Sequence, residues 1–251
     1  MCTVVLLRRP EHEWPLLVAA NRDERVSRAW DPPARHWPDR AEVIAGRDRE
    51  ENGSWLGMND HGVVAAILNR SGSLGPAPDK RSRGELVLDA LDHAAAPDAA
   101  EALSEIDSAA FKSFNLVIAD AERAFWVKGE GNGAPEVSEV PDGISIFTAH
   151  DMNDVLSSPR TRHYLPLFQN APPPNPQLGE WKAWENLVAS REMGAGQTDA
   201  NAAIHVETDW GFGTVSTSLI ALPSLANTNL TPKWRFTEAW PMRQPYRDIL
   251  A

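Results

Sequence analysis

Cysteine is almost absent from this sequence: Cys2 is the only one among 251 residues. A single thiol excludes an internal disulfide and any thiolate cluster around a metal, and it fits a reducing compartment, so a cytoplasmic location is expected. Tyrosine is also scarce, with 2 residues against 10 tryptophans. The indoles could line an aromatic ligand pocket, although core packing is the more ordinary use for most of them. No apolar run approaches the roughly 18 residues of a membrane span. The run from Val4 to Leu7 is too short for a signal peptide, and Arg8 and Arg9 follow it rather than precede it. Basic blocks are missing as well. With a formal charge of −11, nucleic acid is not an expected partner. No two of the seven histidines (12, 36, 61, 93, 150, 163 and 205) fall at i, i+4 or form a close pair. Neither a metal site nor a cofactor is therefore expected. Composition leaves the oligomeric state open.

What is present begins with the opening, MCTVVLL. The lone thiol stands directly behind the start methionine. It could simply be a small buried hydrophobe in a strand. If Met1 is removed, however, Cys2 carries a free α-amine and a thiol on one residue. These groups titrate near about 7.7–8.0 and about 8.5, so they can serve as base and nucleophile together. That is the chemistry of an N-terminal nucleophile hydrolase, and it requires supporting groups elsewhere in the chain.

The pattern along the chain is mixed. CTVVLLRR and WPLLVAANRD are β-rich runs separated by PEHE, which predicts an opening hairpin. Residues 25–50 are rich in Pro, Arg and Asp and read as a long loop. A second hairpin is expected in SWLGMNDHGVVAAILNRSG, turning at Asn59-Asp60-His61-Gly62. Helices follow in SRGELVLDALDHAAA and PDAAEALSEI, where Ser82-x-x-Glu85 and Asp98-x-x-Glu101 have the spacing of a reciprocal N-terminal cap. SFNLVIAD, RAFWVKG and GISIFTA read as strands. SPRTRHYLPLF and LGEWKAWENLVASR read as helices divided by NAPPPNPQ. GTVSTSLIALP and KWRFTEAW close the chain as strands. No repeat interrupts the series, so residues 1–251 are expected to form one α+β domain of two sheets with helices outside.

The second strand ends in AANRDE, which crowds polar side chains onto an apolar run. A plain hairpin end entering solvent would do the same. The hairpin nevertheless makes the two strands antiparallel neighbours, so Asn21, Arg22, Asp23 and Glu24 should lie near Cys2. Alternation puts Asn21 and Asp23 on one face and Arg22 and Glu24 on the other. A carboxylate there could hold the ammonium form of the amine, and an arginine could favour the thiolate.

AANRDE, together with NGSWLGMNDHG, SRGELV and the opening MC, resembles the NRDE family, also named for the Transport and Golgi Organization 2 homologues. That family is similar in fold to N-terminal nucleophile hydrolases, which implies a four-layer αββα sandwich of two mainly antiparallel sheets. The opening MCT and the segment GMNDHGVVAAILN also resemble penicillin V acylases and bile salt hydrolases. The resemblance implies an amidohydrolase acting on a small-molecule, non-peptide amide. Cys2 would be the nucleophile, Asn69 an oxyanion donor, and Arg22 and Asp23 the groups that set the charge state of Cys2. Asn21, Glu24, Trp55 and His150 are the expected substrate-binding residues. Asn69 could equally be a turn residue at a strand end, and His150 a structural histidine. Two departures from the relatives' pattern bear on the site. His150 stands where the acylases carry asparagine, and Val215 replaces the arginine of a Gly-Thr-Arg-Ser pattern. Arg160 or Arg162 could compensate, or could form a charge pair on a solvated helix. The alternative from a different class is a binding or trafficking protein for an apolar ligand such as haem or an acyl-coenzyme A.

Overall fold

The computed structural model describes residues 2–75 and 77–250. Along the chain, strands β1 (Thr3–Arg8), β2 (Leu16–Arg25), β3 (Trp30–Ala34), β4 (Val43–Asp48), β5 (Leu56–Asn59) and β6 (Val64–Asn69) come first. Helices α1 (Gly84–Leu91) and α2 (Ala96–Ser104) follow, and then β7 (Phe114–Ala119), β8 (Ala124–Gly129), β9 (Glu136–Glu139) and β10 (Gly143–Phe147). The chain ends with α3 (Pro159–Asn170), α4 (Lys182–Val188), β11 (Phe212–Leu222), β12 (Lys233–Glu238) and β13 (Arg247–Asp248). It divides into two compact units, Met1–Ser27 with Asp142–Ala251, and Arg28–Pro141. The outcome is the α+β class expected from the sequence, with two antiparallel sheets and four helices among the described residues.

The first unit holds a six-stranded sheet in the order β10-β1-β2-β11-β12-β13. β1 and β11 are buried along their whole length, and so are the first eight residues of β2. Near-continuous apolar runs suit strands covered on both faces. Val5, Leu7, Leu17, Ala19, Leu219 and Ala221 share one face and pack against Tyr164 and Phe168 of α3 and Trp184 and Val188 of α4. The tryptophans of this unit are largely core residues: Trp14, Trp184 and Trp234 are each about 1% exposed. Ser158 caps α3 by accepting a hydrogen bond from the Thr161 N–H, and Pro159 follows at the first helical position, where its missing N–H costs nothing.

The second unit is a seven-stranded meander, β3 to β9 in chain order. Leu86, Val87 and Leu91 of α1 and Ala99 and Leu103 of α2 pack with Val43, Ala45, Ala65, Leu116 and Ile118 of the sheet. The expected hairpin at Asn59–Gly62 forms, with β5 pairing β6. Asn59 also donates to the carbonyls of Leu91 and His93, closing the end of α1.

Three expectations need correction. Residues 25–50 are not one loop, because β3 and β4 pair there. β3 reads as a loop because it contains Pro32 and Pro33, which an edge strand tolerates since one row of its N–H groups has no neighbour to serve. Neither predicted capping box is made. Arg83 occupies the cap of α1 without a side-chain bond, and Glu85 pairs instead with Arg81. α2 starts at Ala96, two residues before Asp98, and its first N–H is bonded by Asp120 from outside the helix. β9 was not foreseen. Its four residues are all exposed, so it has no apolar period to betray it, and its glutamates suit a sheet edge.

Candidate active site

The opening hairpin forms as expected, with Thr3 opposite Asn21 and Val4 opposite Ala20. Continued by one residue, that register sets Cys2 across from Arg22. The Cys2 thiol reaches the main-chain carbonyl of Asp23 at 3.7 Å. On the other side of β1, Val4 pairs with Phe147 of β10. Thr148, Ala149 and His150 therefore leave β10 alongside the start of β1. Cys2 itself is half-buried. Its thiol is nonetheless enclosed, and burial first, then the Asp23 charge, raises its pKa, while Arg22 opposes this more weakly. The chain that still carries Met1 thus holds Cys2 as a neutral thiol, opposite to the depressed value that a terminal ammonium and Arg22 would give. Met1 itself lies outside the described residues.

Alternation sorts the four NRDE side chains as expected. Asn21 and Asp23 face the helices of their unit, while Arg22 and Glu24 point to the opposite face. Asn21 is 2% exposed and its amide is fully used. It donates to the carbonyls of Val188 and Ile204, at 2.8 Å each, and accepts from Thr217 at 2.7 Å. A side chain committed in this way pins α4 and the 200–204 segment to the sheet. Asp23 accepts from Thr214 at 2.6 Å on one oxygen and from Arg160 at 3.1 Å on the other. Arg22 is also buried. Glu24 is partly exposed and accepts from the Arg25 N–H.

A β-bulge makes this arrangement possible. β11 pairs Thr214 with Asp23 and Ser216 with Arg22, which leaves Val215 as the extra residue between them. Without that insertion Thr214 and Thr217, three apart, would fall on opposite faces. With it, Thr214 meets Asp23 and Thr217 meets Asn21 on the same face. Val215 is 2% exposed.

Arg160 is the residue whose place the sequence left open. Rather than lying on a solvated face, it is 3% exposed and donates to Thr3, to Asp23 and twice to the Asn201 carbonyl. Arg162 is the solvated one and donates to the carbonyls of Val155 and Leu156. Sequence reasoning missed three further residues of the polar seam. Arg243 donates to Thr217, to Tyr246 and to Nδ1 of His205. A guanidinium only donates, so Nδ1 of His205 must be the bare acceptor. Burial first and Arg243 second push His205 down to about 4, and burial pushes Tyr246 up to about 12. No spacing in the sequence joins His205 to Arg243; only the fold does.

The depressed His205 gives a measurable consequence. An unfolded histidine takes its proton near about 6.5, so between there and about 4 the unfolded chain binds more protons. Stability should be intact above pH 6.5 and fall as the pH drops, by about 3 kcal/mol in full. Denaturant titrations at pH 7 and pH 4.5 on wild type and His205→Asn should show the wild type losing more of its starting stability. Equal losses would mean that His205 is not buried as a neutral ring.

His150 is half-buried and its N–H contacts Thr148. Asn69 and Trp55 belong to the second unit. Asn69 ends β6, half-buried, opposite Phe114. Trp55 packs edge-on to Trp30 at 5.7 Å and lies over Gly46, where a Cβ would come within 2.2 Å of its ring. Among the described residues no group of three or more His, Cys, Asp or Glu is placed to hold a metal, and no helix is long and apolar enough to cross a membrane.

A profile of the family described as Transport and Golgi organisation 2 matches residues 1–227. The chain belongs to this family. A human protein named Transport and Golgi organization protein 2 homolog is 35% identical over 121 residues, covering 45% of this chain and 42% of that protein. A bovine protein of the same name is 35% identical over 120 residues, 44% of this chain and 40% of its own length. The chain thus matches less than half the length of these relatives. Among solved structures, a Caenorhabditis elegans N-acylethanolamine-hydrolyzing acid amidase ortholog aligns with a TM-score of 0.59 at 12% identity, over 91% of this chain and 95% of that one. Penicillin V acylase from Agrobacterium tumefaciens gives 0.56 at 13% identity, over 100% and 86%. The C2A mutant of conjugated bile acid hydrolase from Clostridium perfringens gives 0.54 at 12%, over 100% and 93%. At such identities the likeness is one of fold: this family member has the fold of the N-terminal nucleophile hydrolases.

Proposed function

We propose that this protein hydrolyses a non-peptide acyl amide, with Cys2 as an N-terminal nucleophile. The observation that carries the proposal is the placement of the only thiol of the chain at the head of β1, in contact with Asp23 of the NRDE segment. While Met1 is attached, burial and Asp23 keep that thiol neutral, which suits an inactive precursor. Removal of Met1 would free the α-amine of Cys2, on the carbon next to the one that bears the thiol. In its neutral form that amine takes the thiol proton, and the resulting ammonium stabilises the thiolate. The thiolate sulfur then bonds to the carbonyl carbon, and the π electrons move onto oxygen. As the intermediate collapses, the carbon–nitrogen bond breaks, and the ammonium proton goes to the departing nitrogen. A thioester is left on Cys2. Water, deprotonated by the amine, attacks it and releases the carboxylic acid and the thiol. Arg22 and Asp23 set the charge around the pair, and Asn69 carries the oxyanion role that the family resemblance assigns. Asn21 serves this reading as scaffold, while Glu24, Trp55 and His150 remain the proposed substrate contacts. The cytoplasm is the proposed compartment.

The intact mass of protein made without an N-terminal tag tests this, together with amine release from a panel of acyl amides. The expected result is a mass lower by one methionine in material that turns over. Met1 fully retained in active material would sink the amine as base.

A further inference from the structure

We propose that Arg160 is a positioning residue for Cys2: it clamps the two strands of the opening hairpin and offsets the charge of Asp23, the residue whose main-chain carbonyl takes the thiol. The inference rests on the reading of Cys2 as the reactive thiol and adds a residue that neither the NRDE segment nor the spacing of motifs points to.

The guanidinium holds its donors in a fixed planar fork. Its Nη1 donates to Thr3 Oγ1 at 2.6 Å and to Asp23 Oδ2 at 3.1 Å. Nε and Nη2 share the Asn201 carbonyl at 3.2 and 2.9 Å. Thr3 is covalently next to Cys2, and Asp23 supplies the carbonyl that takes its thiol. One planar group therefore grips the nucleophile's neighbour on β1 and its partner on β2. Arg160 sits in the first turn of α3, fixed by the Ser158 cap, and Ser158 in turn accepts from Thr148 at the end of β10. The side chains of the Arg160–Asp23 pair are 3% and 0% exposed. In such an environment the Asp23 charge opposes thiolate formation, and Arg160 offsets part of it.

The pH dependence of iodoacetamide labelling tests this on the intact protein, since Cys2 is the only cysteine. Arg160→Gln should raise the labelling midpoint by about one pH unit, a roughly tenfold slower reaction at a fixed lower pH. Asp23→Asn should lower the midpoint. In the Asp23→Asn background, Arg160→Gln should move it far less, because the charge that Arg160 balances is gone. Arg160→Lys keeps the charge without the fork and should fall between wild type and Arg160→Gln. It and the double variant keep the test alive if Arg160→Gln alone does not fold. A lower melting temperature with an unmoved midpoint would reduce Arg160 to a structural tie and overturn the proposal. So would an equal shift in both backgrounds, which would mean that Arg160 acts without Asp23. A wild-type thiol that never labels while folded would overturn the hydrolase reading, and this proposal with it.

Discussion

Replacing Cys2 by serine is expected to abolish turnover of an acyl-amide substrate, by on the order of 10³-fold or more, while leaving ligand affinity within about threefold. The substitution changes side-chain volume little and keeps a donor to the Asp23 carbonyl. What it removes is acidity: a hydroxyl holds its proton several pKa units more tightly than a thiol, so the α-amine no longer suffices as its base. Binding that depends on other side chains is untouched, and the loss should therefore appear in kcat and leave KM nearly unchanged. Single-turnover assays would also lose the acyl-enzyme burst. The trafficking alternative predicts a different pattern: no turnover in the wild type, and affinity for haem or acyl-coenzyme A that is indifferent to Cys2. Equal binding by both proteins with hydrolysis by neither would end the hydrolase reading.

The elements legible in the sequence are those whose signal is local. The β1–β2 hairpin follows from two apolar runs around PEHE, and with it the approach of Asn21–Glu24 to Cys2. The division of Asn21 and Asp23 from Arg22 and Glu24 needs only the period of a strand. β3 and β9 were hidden because neither has a buried face to pattern: one carries two prolines and the other is wholly exposed. The least legible part is what Asp23 touches. Thr214 lies 191 positions away and meets Asp23 only because Val215 is an inserted bulge residue. A bulge leaves almost no local trace, and Val215 read only as the loss of a cation. Arg160, which the sequence offered only as a possible compensation for that cation, lies on a helix whose amphipathic period is interrupted by Pro166, so its inward face was not evident. His205 and Arg243 illustrate the same limit, being 38 positions apart with nothing between them to announce the contact.

The second large effect concerns stability. Asp23→Ala alone is expected to destabilise the protein by about 3–5 kcal/mol, because it leaves the Arg160 guanidinium buried beside an empty acceptor position. The Thr214 hydroxyl would lose its acceptor as well, although it would still accept from the Val206 N–H. Arg160→Ala should cost a similar amount by stranding the carboxylate, and it also removes the tie to Thr3 and Asn201. The pair itself is another matter. Two charges taken out of water lose much of their hydration, and their mutual attraction recovers that only in part. Removing both together, as Asp23→Leu with Arg160→Met, should therefore cost far less than the sum of the single changes. Denaturant unfolding of the wild type, Asp23→Leu, Arg160→Met and the double variant gives the coupling directly, and it should exceed about 2 kcal/mol. Additive losses would show that the two side chains are held independently. A double variant as stable as the wild type but with Cys2 labelling altered would mean that the pair is retained for the site at the head of β1 rather than for the fold.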